Sequence, residues 1–269
     1  MLWLMLLFWL GPHRIISVAP SITETLFALG AGDEIVGVTT YDKYPEAAKT
    51  KPKIGGYRTP DLEGILVKRP DLVFMMKSRP DIAQKLRSAG IDVVESQPEN
   101  LAGIYDEIQT IAAKIGVPER GRAMVQSIDK DIHAAPARAP AGKKPTVLFI
   151  VGRTPGTISG LIAVGRGSYL NELIDFAGGS NIFADAAVSY PHVGLEDIIH
   201  RDPDVIIDMG HDEMVAESQR QAVKQLWQKY DFLKAVKKSA VFPVSADYFV
   251  TPGPRVGLAV RDIRRMIGN

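Results

Sequence analysis

The chain has 269 residues, which is enough for one large or two medium-sized domains, each with its own hydrophobic core. Its 32 basic and 31 acidic residues nearly cancel, so no overall positive field favours nucleic acid or an anionic membrane as a partner. The absence of cysteine excludes disulfides, thiolate metal sites and a cysteine nucleophile, and the five histidines lack a zinc-enzyme spacing such as HExxH.

The chain begins with "MLWLMLLFWL", which is uniformly apolar but shorter than the roughly 20 residues that a membrane-spanning helix needs. This run fits the apolar region of a secretory signal, although a basic region before it and an A-x-A cleavage site after it are missing. We interpret residues 1–12 as a partial signal segment and expect the protein to work outside the cytoplasm. The alternative is a buried N-terminal segment.

From Arg14, short apolar runs alternate with amphipathic stretches, which is typical of an α/β protein. Ser21 is predicted to cap the first helix, with Glu24 completing a capping box. Parallel strands covered on both faces are expected from this alternation. The predicted strands are residues 14–19, 34–39, 71–76 and 91–96, and the predicted helices are residues 21–30, 62–69 and 81–90.

Residues 100–134 show helical periodicity that is interrupted only at "GVPE", so two helical segments are expected there. The stretch "PARAPAGKKP" then marks a boundary, after which a second α/β unit begins. Its predicted elements are strands at residues 146–151 and 204–209 and helices at residues 168–179, 194–201 and from Arg255 onward.

The two halves resemble each other. "DLEGILVKRPDLVFM" returns 133 residues later as "GLEDIIHRDPDVIIDM", and a second match follows the same order with an offset of 147 residues. We interpret this as two similarly built lobes joined by the helical stretch between them. The matched pairs are Glu63 with Glu196, Ile65 with Ile198, Pro70 with Pro203, Asp71 with Asp204, Ser21 with Ser168, Leu26 with Leu173, Gly32 with Gly179 and Ile35 with Ile182.

In both copies a glutamate, Glu63 or Glu196, falls in the first turn of a short predicted helix. A glutamate there is favourable beside the positive end of the helix dipole, and this alone explains one isolated copy. Two equivalent glutamates can instead present two exposed carboxylates to a partner with pseudo-twofold symmetry. At such an interface, exposed charges determine the register of the complex and its association rate.

Three stretches together resemble the helical-backbone substrate-binding proteins of ABC importers, which carry cobalamin, haem and iron-siderophores in the bacterial periplasm. They are "RIISVAPSITETLFALGAGDEIVGVTTYDKYPEA", "IGGYRTPDLEGILVKRPDLVF" and "LEDIIHRDPDVII". The resemblance implies an α/β fold with two lobes of mostly parallel sheet flanked by helices, bridged by one long interlobe helix. The expected domains are an N-terminal lobe at residues 13–112, a bridging helix and linker at 113–142, and a C-terminal lobe at 143–269.

The same resemblance implies a monomeric, periplasmic protein that binds its ligand in the cleft between the lobes. It also implies that Glu63 and Glu196 dock on the two subunits of an ABC permease. Within the family, the resemblance is to the cobalamin-binding type, so the expected ligand is a cobalamin-like corrinoid. The ligand-binding residues that this implies are Tyr41, Tyr57, Met76, Thr157, Ile158, Ser159, Tyr190 and Asp247.

Tyrosine suits a corrinoid or porphyrin, because its ring packs on the broad apolar face while its hydroxyl reaches the polar rim or solvent. Tyr57 also supports the rival ligand, haem, since haem binders of this family ligate iron with a tyrosine in a similar "GY" loop. Arg58 is suited to pair with a propionate, and His192 is a candidate to contact a ligand side group. A siderophore or another metal chelate is the third alternative. His211, in the acidic "GHDEM", is interpreted as a surface residue.

Enzyme interpretations find little support in the sequence. No GxSxG elbow is present, and "GRTPGTISG" lacks the Lys-Ser/Thr ending of a phosphate-binding loop. The glycines of "LGAGDEIVG" close a helix, whereas a dinucleotide-binding turn opens one. We therefore expect no catalytic residues, no resident cofactor or metal and no nucleic-acid partner. The competing class is a metal-cofactor enzyme on a similar two-lobe fold, but its metal cluster would normally need cysteine ligands.

Overall fold

The computed structural model describes residues 13–134, 143–210 and 217–268. The predicted signal segment at residues 1–12, most of the predicted linker and His211 lie outside these ranges. The described chain forms two compact units. One consists of residues up to 97 together with residues 106–124, and the other of residues 98–105 together with those from 125 onward.

The first unit is an α/β layer that contains the predicted strands and helices and one short helix, Glu46–Lys49, that was not predicted. Its strands are β1 (Ile15–Ser17), β2 (Ile35–Gly37), β3 (Leu72–Met76) and β4 (Asp92–Ser96). Its helices are α1 (Pro20–Ala28), α2 (Glu46–Lys49), α3 (Leu62–Val67) and α4 (Pro80–Ser88).

The sheet of the first unit has the order β2-β1-β3-β4, and every neighbouring pair of strands is parallel. Successive residues of a strand point to opposite faces, and two separate core clusters follow this alternation. Ile15 and Phe74 belong to one cluster, while Ile16, Val73 and Met75 belong to the other. The prediction of parallel strands covered on both faces is therefore confirmed.

The helical stretch after β4 consists of α5 (Leu101–Lys114) and α6 (Pro118–His133). Gly116, with φ of 78°, supplies the left-handed residue after α5, and Pro118 begins α6 at a position where its missing N–H costs nothing. The two predicted segments are thus confirmed. Helix α6 belongs to the first unit as far as Met124 and to the second from Val125.

The second unit has more elements than its sequence pattern predicted. Its strands are β5 (Thr146–Gly152), β6 (Leu161–Ala163), β7 (Ser180–Asn181), β8 (His192–Val193), β9 (Val205–Asp208) and β10 (Val241–Pro243). Its helices after α6 are α7 (Tyr169–Phe176), α8 (Leu195–Arg201), α9 (Glu217–Gln228), α10 (Lys234–Lys237) and α11 (Val256–Gly268).

The sheet of the second unit is mixed. Strands β10, β9 and β5 are parallel, and β7 also pairs with β5 in parallel. Strand β6 is antiparallel to β5 and to β8, and these short strands follow loops rather than crossover helices. A mostly parallel arrangement therefore holds for the first sheet and for one side of the second.

The internal repeat predicted from sequence has a structural counterpart in each unit. Asp71 accepts hydrogen bonds from the backbone N–H of Arg14, just before β1, at 3.1 Å, and Asp204 does the same for Thr146 of β5 at 3.1 Å. Arg69 and Asp202, which are also 133 residues apart, have φ of 46° and 43°. Both are non-glycine residues in the left-handed region, where few residues occur. These shared details support a common construction of the two units.

The predicted capping box of the first helix is wrong. Helix α1 begins at Pro20, its N-cap residue is Ala19, and no side chain caps it. Proline is well suited to the first helical position because it has no N–H to satisfy, so the helix starts one residue before the predicted cap. Its second-unit counterpart Ser168 does act as N-cap, since its hydroxyl accepts from the backbone N–H of Leu170 at 3.2 Å.

Candidate functional site

The carboxyl ends of the first unit's parallel strands carry several of the predicted ligand-binding residues. In open α/β sheets this edge is where ligands bind. Met76 is the last residue of β3 and is half-buried, packing against one of the core clusters. Tyr41 lies in the loop that follows β2. The segment before Tyr57 runs alongside that loop, because Val38 and Lys53 form a parallel bridge.

Tyr41 and Tyr57 contact each other. Their ring centroids are 5.5 Å apart with an interplanar angle of 66°, which is an edge-to-face arrangement. Tyr41 is 56% exposed and Tyr57 is half-buried, so the pair presents aromatic surface to solvent. The structure thus brings together two residues that the sequence separates by sixteen positions.

The loop that carries Tyr57 is held by its own backbone. The N–H groups of Gly56 and Thr59 each donate to the other residue's carbonyl at 3.2 Å, and Gly55 bridges to Pro60. Gly55 has φ of 86°, and a Cβ there would lie 2.6 Å from the carbonyl oxygen of Thr59, so only glycine fits. Tyr57 and its neighbour are therefore displayed on a defined turn.

Arg58 occupies the tip of the same turn, and its side chain is exposed. Its backbone carbonyl accepts from the Nη1 of Arg79 at 3.1 Å, which ties the turn to the start of α4. Arg79 is in turn paired with Asp81 through two hydrogen bonds of 2.9 and 2.7 Å. The backbone of Arg58 is thus held next to Tyr57 in the chain, and its side chain is exposed to solvent.

A buried carboxyl next to the tyrosine pair was missed by the sequence analysis. Asp42 is 2% exposed, and the hydroxyl of Thr39 donates to its carboxylate. The same hydroxyl accepts from the backbone N–H of Tyr41 at 3.2 Å. Burial raises the pKa of Asp42. Asp42 and Thr39 therefore act as positioning residues for the Tyr41 backbone.

A second buried carboxyl lies by the carboxyl end of β4. Glu107 of α5 is 4% exposed, and the hydroxyl of Ser96, the last residue of β4, donates to its carboxylate. Burial raises the pKa of Glu107 to about 7. Ser96 pairs in register with Met76, so this titrating group lies close to a predicted ligand-binding residue.

Stability of the first unit should consequently depend on pH through Glu107. Its pKa is about 7 in the folded protein, against an ordinary value of 4.5 for a glutamate. As the pH rises, the carboxyl of Glu107 loses its proton in the unfolded chain before it does so in the folded protein. Glu107 therefore lowers the free energy of unfolding as the pH rises from 4.5 to 7, by on the order of 3 kcal/mol in all. We expect the free energy of unfolding of Glu107→Gln to lack this decrease with pH. The measurement is urea unfolding at pH 5 and pH 8, followed by circular dichroism.

Asp106→Asn, at the exposed position next to Glu107 on α5, is the matched control and should keep the wild-type difference between the two pH values. An equal pH dependence in wild type and Glu107→Gln would show that Glu107 titrates normally.

In the second unit, the predicted pocket loop follows β5 and is closed by local hydrogen bonds. The hydroxyl of Thr157 donates to the carbonyl of Thr154 at 3.0 Å and lies 2.7 Å from the hydroxyl of Ser159. Thr157 and Ser159 are exposed. Ile158 instead packs against the core cluster of this unit, so its side chain anchors the loop to the core. Of the three predicted residues, Thr157 and Ser159 are therefore exposed and Ile158 is partly buried.

A buried ion pair that the sequence analysis missed supports this loop. Arg153, directly after β5, donates from Nε to both carboxylate oxygens of Asp208 at 3.2 Å, with side chains 2% and 0% exposed. Trp227 of α9 donates from Nε1 to the same carboxylate at 2.8 Å. Arg153 also reaches the carbonyl of Thr157 with its Nη1, at 3.5 Å. Every charge here has a partner, as buried charges require.

Tyr190 and His192 lie at the edge of the second unit's sheet that strand β8 forms. Tyr190 is 43% exposed, and the Ser168 hydroxyl, which caps α7, donates to its hydroxyl at 3.0 Å. His192 is exposed at the start of β8. His192 is in register with Gly152, the last residue of β5, because Ile162 of the intervening strand β6 pairs with both residues. Tyr190 therefore has a fixed orientation, whereas His192 faces solvent.

Asp247 begins a 3₁₀ helix, Asp247–Phe249, that follows β10. Its carboxylate is 2.9 Å from the Nη1 of Arg255, and the guanidinium of Arg255 lies 5.7 Å from the ring centroid of Tyr248. Tyr248 also donates to Asp262 of α11, and burial, together with that carboxylate, raises the pKa of its hydroxyl to about 12. The charge of Asp247 is thus already balanced within the unit.

The two glutamates of the repeat occupy the same place on equivalent helices. Glu63 lies in the first turn of α3 and Glu196 in the first turn of α8, and both side chains are exposed. The residues two positions later, Ile65 and Ile198, are fully buried and anchor each helix to its own unit. Each glutamate is therefore presented outward from a fixed helix.

Across the described ranges, no helix combines the length and the hydropathy that crossing a membrane requires. In the same ranges, no three histidine, aspartate or glutamate side chains are grouped so that they could hold a metal ion.

Comparisons with known proteins agree with one another. A model of the periplasmic binding protein family matches residues 15–248. A vitamin B12-binding protein of Salmonella choleraesuis is 30% identical over 258 residues, which cover 95% of this chain and 90% of the relative. The solved structure of the periplasmic vitamin B12 binding protein BtuF of Vibrio cholerae has a TM-score of 0.78 at 27% identity, covering 96% of this chain and 97% of that chain. The periplasmic heme-binding protein RhuT from Roseiflexus sp. RS-1 has a TM-score of 0.80 at 29% identity, covering 96% and 98%.

Proposed function

This chain belongs to the periplasmic binding protein family, and we propose that it binds a cobalamin-like corrinoid and delivers it to the permease of an ABC importer. The observation that carries the corrinoid is the 30% identity to a vitamin B12-binding protein across 95% of the chain. The place of action that we propose is the periplasm. Binding and release, rather than catalysis, are the activity.

The chemistry of the first unit supports this ligand. A corrin ring offers a broad apolar face edged by amide groups, and the partly exposed edge-to-face pair of Tyr41 and Tyr57 offers ring surface with hydroxyl groups. The half-buried Met76 adds a polarisable apolar side chain that adapts to an irregular surface. We propose these three residues as its principal apolar contacts.

In the second unit we propose polar contacts from loops. Thr157 and Ser159 expose hydroxyl groups on a turn closed by its own hydrogen bonds, and such groups suit the amides at the rim of a corrin. We also propose the remaining predicted residues as ligand contacts, namely Ile158, Tyr190, His192 and Asp247.

Haem is the second candidate ligand, favoured by the 29% identity to a heme-binding protein and by the adjacent Tyr57 and Arg58. Arg58 is exposed and is suited to pair with a propionate.

The test of the proposal is a pair of absorbance titrations of the purified protein, one with cyanocobalamin and one with haemin. We expect saturable one-to-one binding of cyanocobalamin at submicromolar concentration. Saturation by haemin alone, with the spectrum of a tyrosinate-ligated iron, would assign the protein to haem and Tyr57 to the metal. The absence of binding with either would point to a siderophore or a smaller chelate.

We further propose that Glu63 and Glu196 dock on the two subunits of the permease. Exposed charges at the rim of an interface set association rate and register more than affinity for a distant ligand. Lysine at both positions should therefore reduce uptake of cobalamin by about tenfold or more while leaving the dissociation constant for cobalamin unchanged. Uptake is measured in proteoliposomes that hold the cognate importer.

Asp197→Lys is the matched control, because Asp197 is an exposed acid in the same first turn of α8 whose counterpart in α3 is Gly64. It should transport like the wild type. Loss of ligand affinity with unchanged uptake in the double lysine variant would contradict the docking role.

A further inference from the structure

Helices α3 and α8 share a second exposed feature besides the glutamates. Leu66 is 38% exposed and Ile199 is 37% exposed, and the two positions are 133 residues apart, the offset that also relates the two glutamates. Each apolar residue follows its glutamate by three positions. Residues at that spacing are neighbours on one face of a helix. Each unit therefore presents a pair consisting of one carboxylate and one branched aliphatic side chain.

Two other pairs of equivalent positions in the repeat have structural roles within each unit. The buried pair Ile65 and Ile198 fills the cores, and the carboxylates of Asp71 and Asp204 hold the first strands. A single exposed aliphatic residue is common on any surface and needs no explanation. An exposed aliphatic residue at the same place in both copies is different, because exposed positions around it diverge, as Val67 and its counterpart His200 do.

We propose that Leu66 and Ile199 are apolar docking contacts, each seated on one subunit of the permease dimer beside the group that receives the neighbouring glutamate. This inference rests on the proposed function. A permease dimer shows the same surface twice, so it can accept the same pair of side chains from both units. The receiving site would combine one cationic side chain with an adjoining apolar hollow. The glutamates then set register and rate, while the aliphatic residues add attraction through burial.

The two contributions differ in their response to salt. Attraction between exposed charges falls as ionic strength screens it, whereas removal of apolar area from water is not screened. A serine at Leu66 or Ile199 should thus weaken binding by the same factor at low and high salt. A lysine at Glu63 or Glu196 should weaken it most at low salt.

The experiment measures binding of the cobalamin-loaded protein to the cognate importer in nanodiscs, by surface plasmon resonance at two salt concentrations. Leu66→Ser and Ile199→Ser should each weaken binding by about five- to tenfold, with little change between the two salt concentrations. Phe232→Ser is the matched control, since Phe232 is 48% exposed but lies outside both helices, and it should bind like the wild type. Cobalamin titrations of all variants verify that the ligand site is intact.

Wild-type affinity for the importer in both serine variants, together with weakened binding by the lysine variants, would overturn the proposal and leave docking to the glutamates alone. A strong salt dependence of the serine variants would also overturn it. Failure of the proposed function has a different signature, since the wild-type protein itself would then bind neither cobalamin nor the importer.

Discussion

Asp208→Asn is expected to lower the free energy of unfolding of the second unit by about 3–5 kcal/mol, because it leaves the guanidinium of Arg153 buried without a counter-charge. Asp208 is fully buried and joins Arg153 to Trp227 through hydrogen bonds of 3.2 and 2.8 Å. In a chain that starts at Arg14, Trp227 is the one tryptophan left of the three, so its fluorescence during urea unfolding reports on this unit alone. The variant should unfold at a markedly lower urea concentration.

Arg220→Met is the matched control for this loss. Arg220 and Glu217 form an ion pair of 3.4 Å on α9, with side chains 44% and 65% exposed. An exposed pair of this kind contributes roughly 0–1 kcal/mol. If Asp208→Asn proved no more destabilising than Arg220→Met, the buried pair would not be holding the second unit together.

Tyr57→Ala is expected to weaken the binding of cyanocobalamin by about tenfold or more, since it removes one ring of the exposed tyrosine pair and the area that the ring would cover. Tyr57→Phe keeps the ring and should bind cyanocobalamin within about twofold of the wild type. Calorimetric titration of the two variants beside the wild type measures both effects.

The phenylalanine variant also separates the two candidate ligands. A haem iron that is ligated by the phenolate loses its ligand in Tyr57→Phe, whereas packing on a corrin ring does not need the hydroxyl. Phe232→Ala, which removes an exposed ring elsewhere, should leave both titrations unchanged. Equal cyanocobalamin affinity in Tyr57→Ala and in the wild type would remove this loop from the site.

Much of the fold was predictable because its signals are local. The short runs that became β1, β3, β5 and β9 are apolar on both faces, and this pattern is typical of strands that are buried on both faces. The family resemblance is confirmed by the match over residues 15–248. The repeated sequence likewise predicted two similarly built units.

The elements that were missed have weaker sequence signals. Helix α9 buries only Val223 and Trp227 among its twelve residues, so its amphipathic stripe is sparse. Strands β6 and β8 have three and two residues, and their pairing depends on neighbours far along the chain. The start of α1 was misplaced by one residue because the proline at its first position competes with the serine that follows it.

The site was predictable in its residue types but not in its supports. The aromatic residues in loops stood out, and the structure brings Tyr41 and Tyr57 into contact. The carboxyls of Asp42 and Glu107 could not be found, since an acidic residue in a sequence carries no mark of burial. The partners Arg153 and Asp208 are 55 positions apart and meet only because β5 and β9 are neighbours.

Whether this protein binds a corrinoid is best measured by calorimetric titration of the chain from Arg14 onward with cyanocobalamin. We expect a single site with a submicromolar dissociation constant and one ligand per chain. If a sample whose folding is verified by Trp227 fluorescence gave no measurable heat and no spectral change at cyanocobalamin concentrations up to about 100-fold above that dissociation constant, the protein would not be a corrinoid binder.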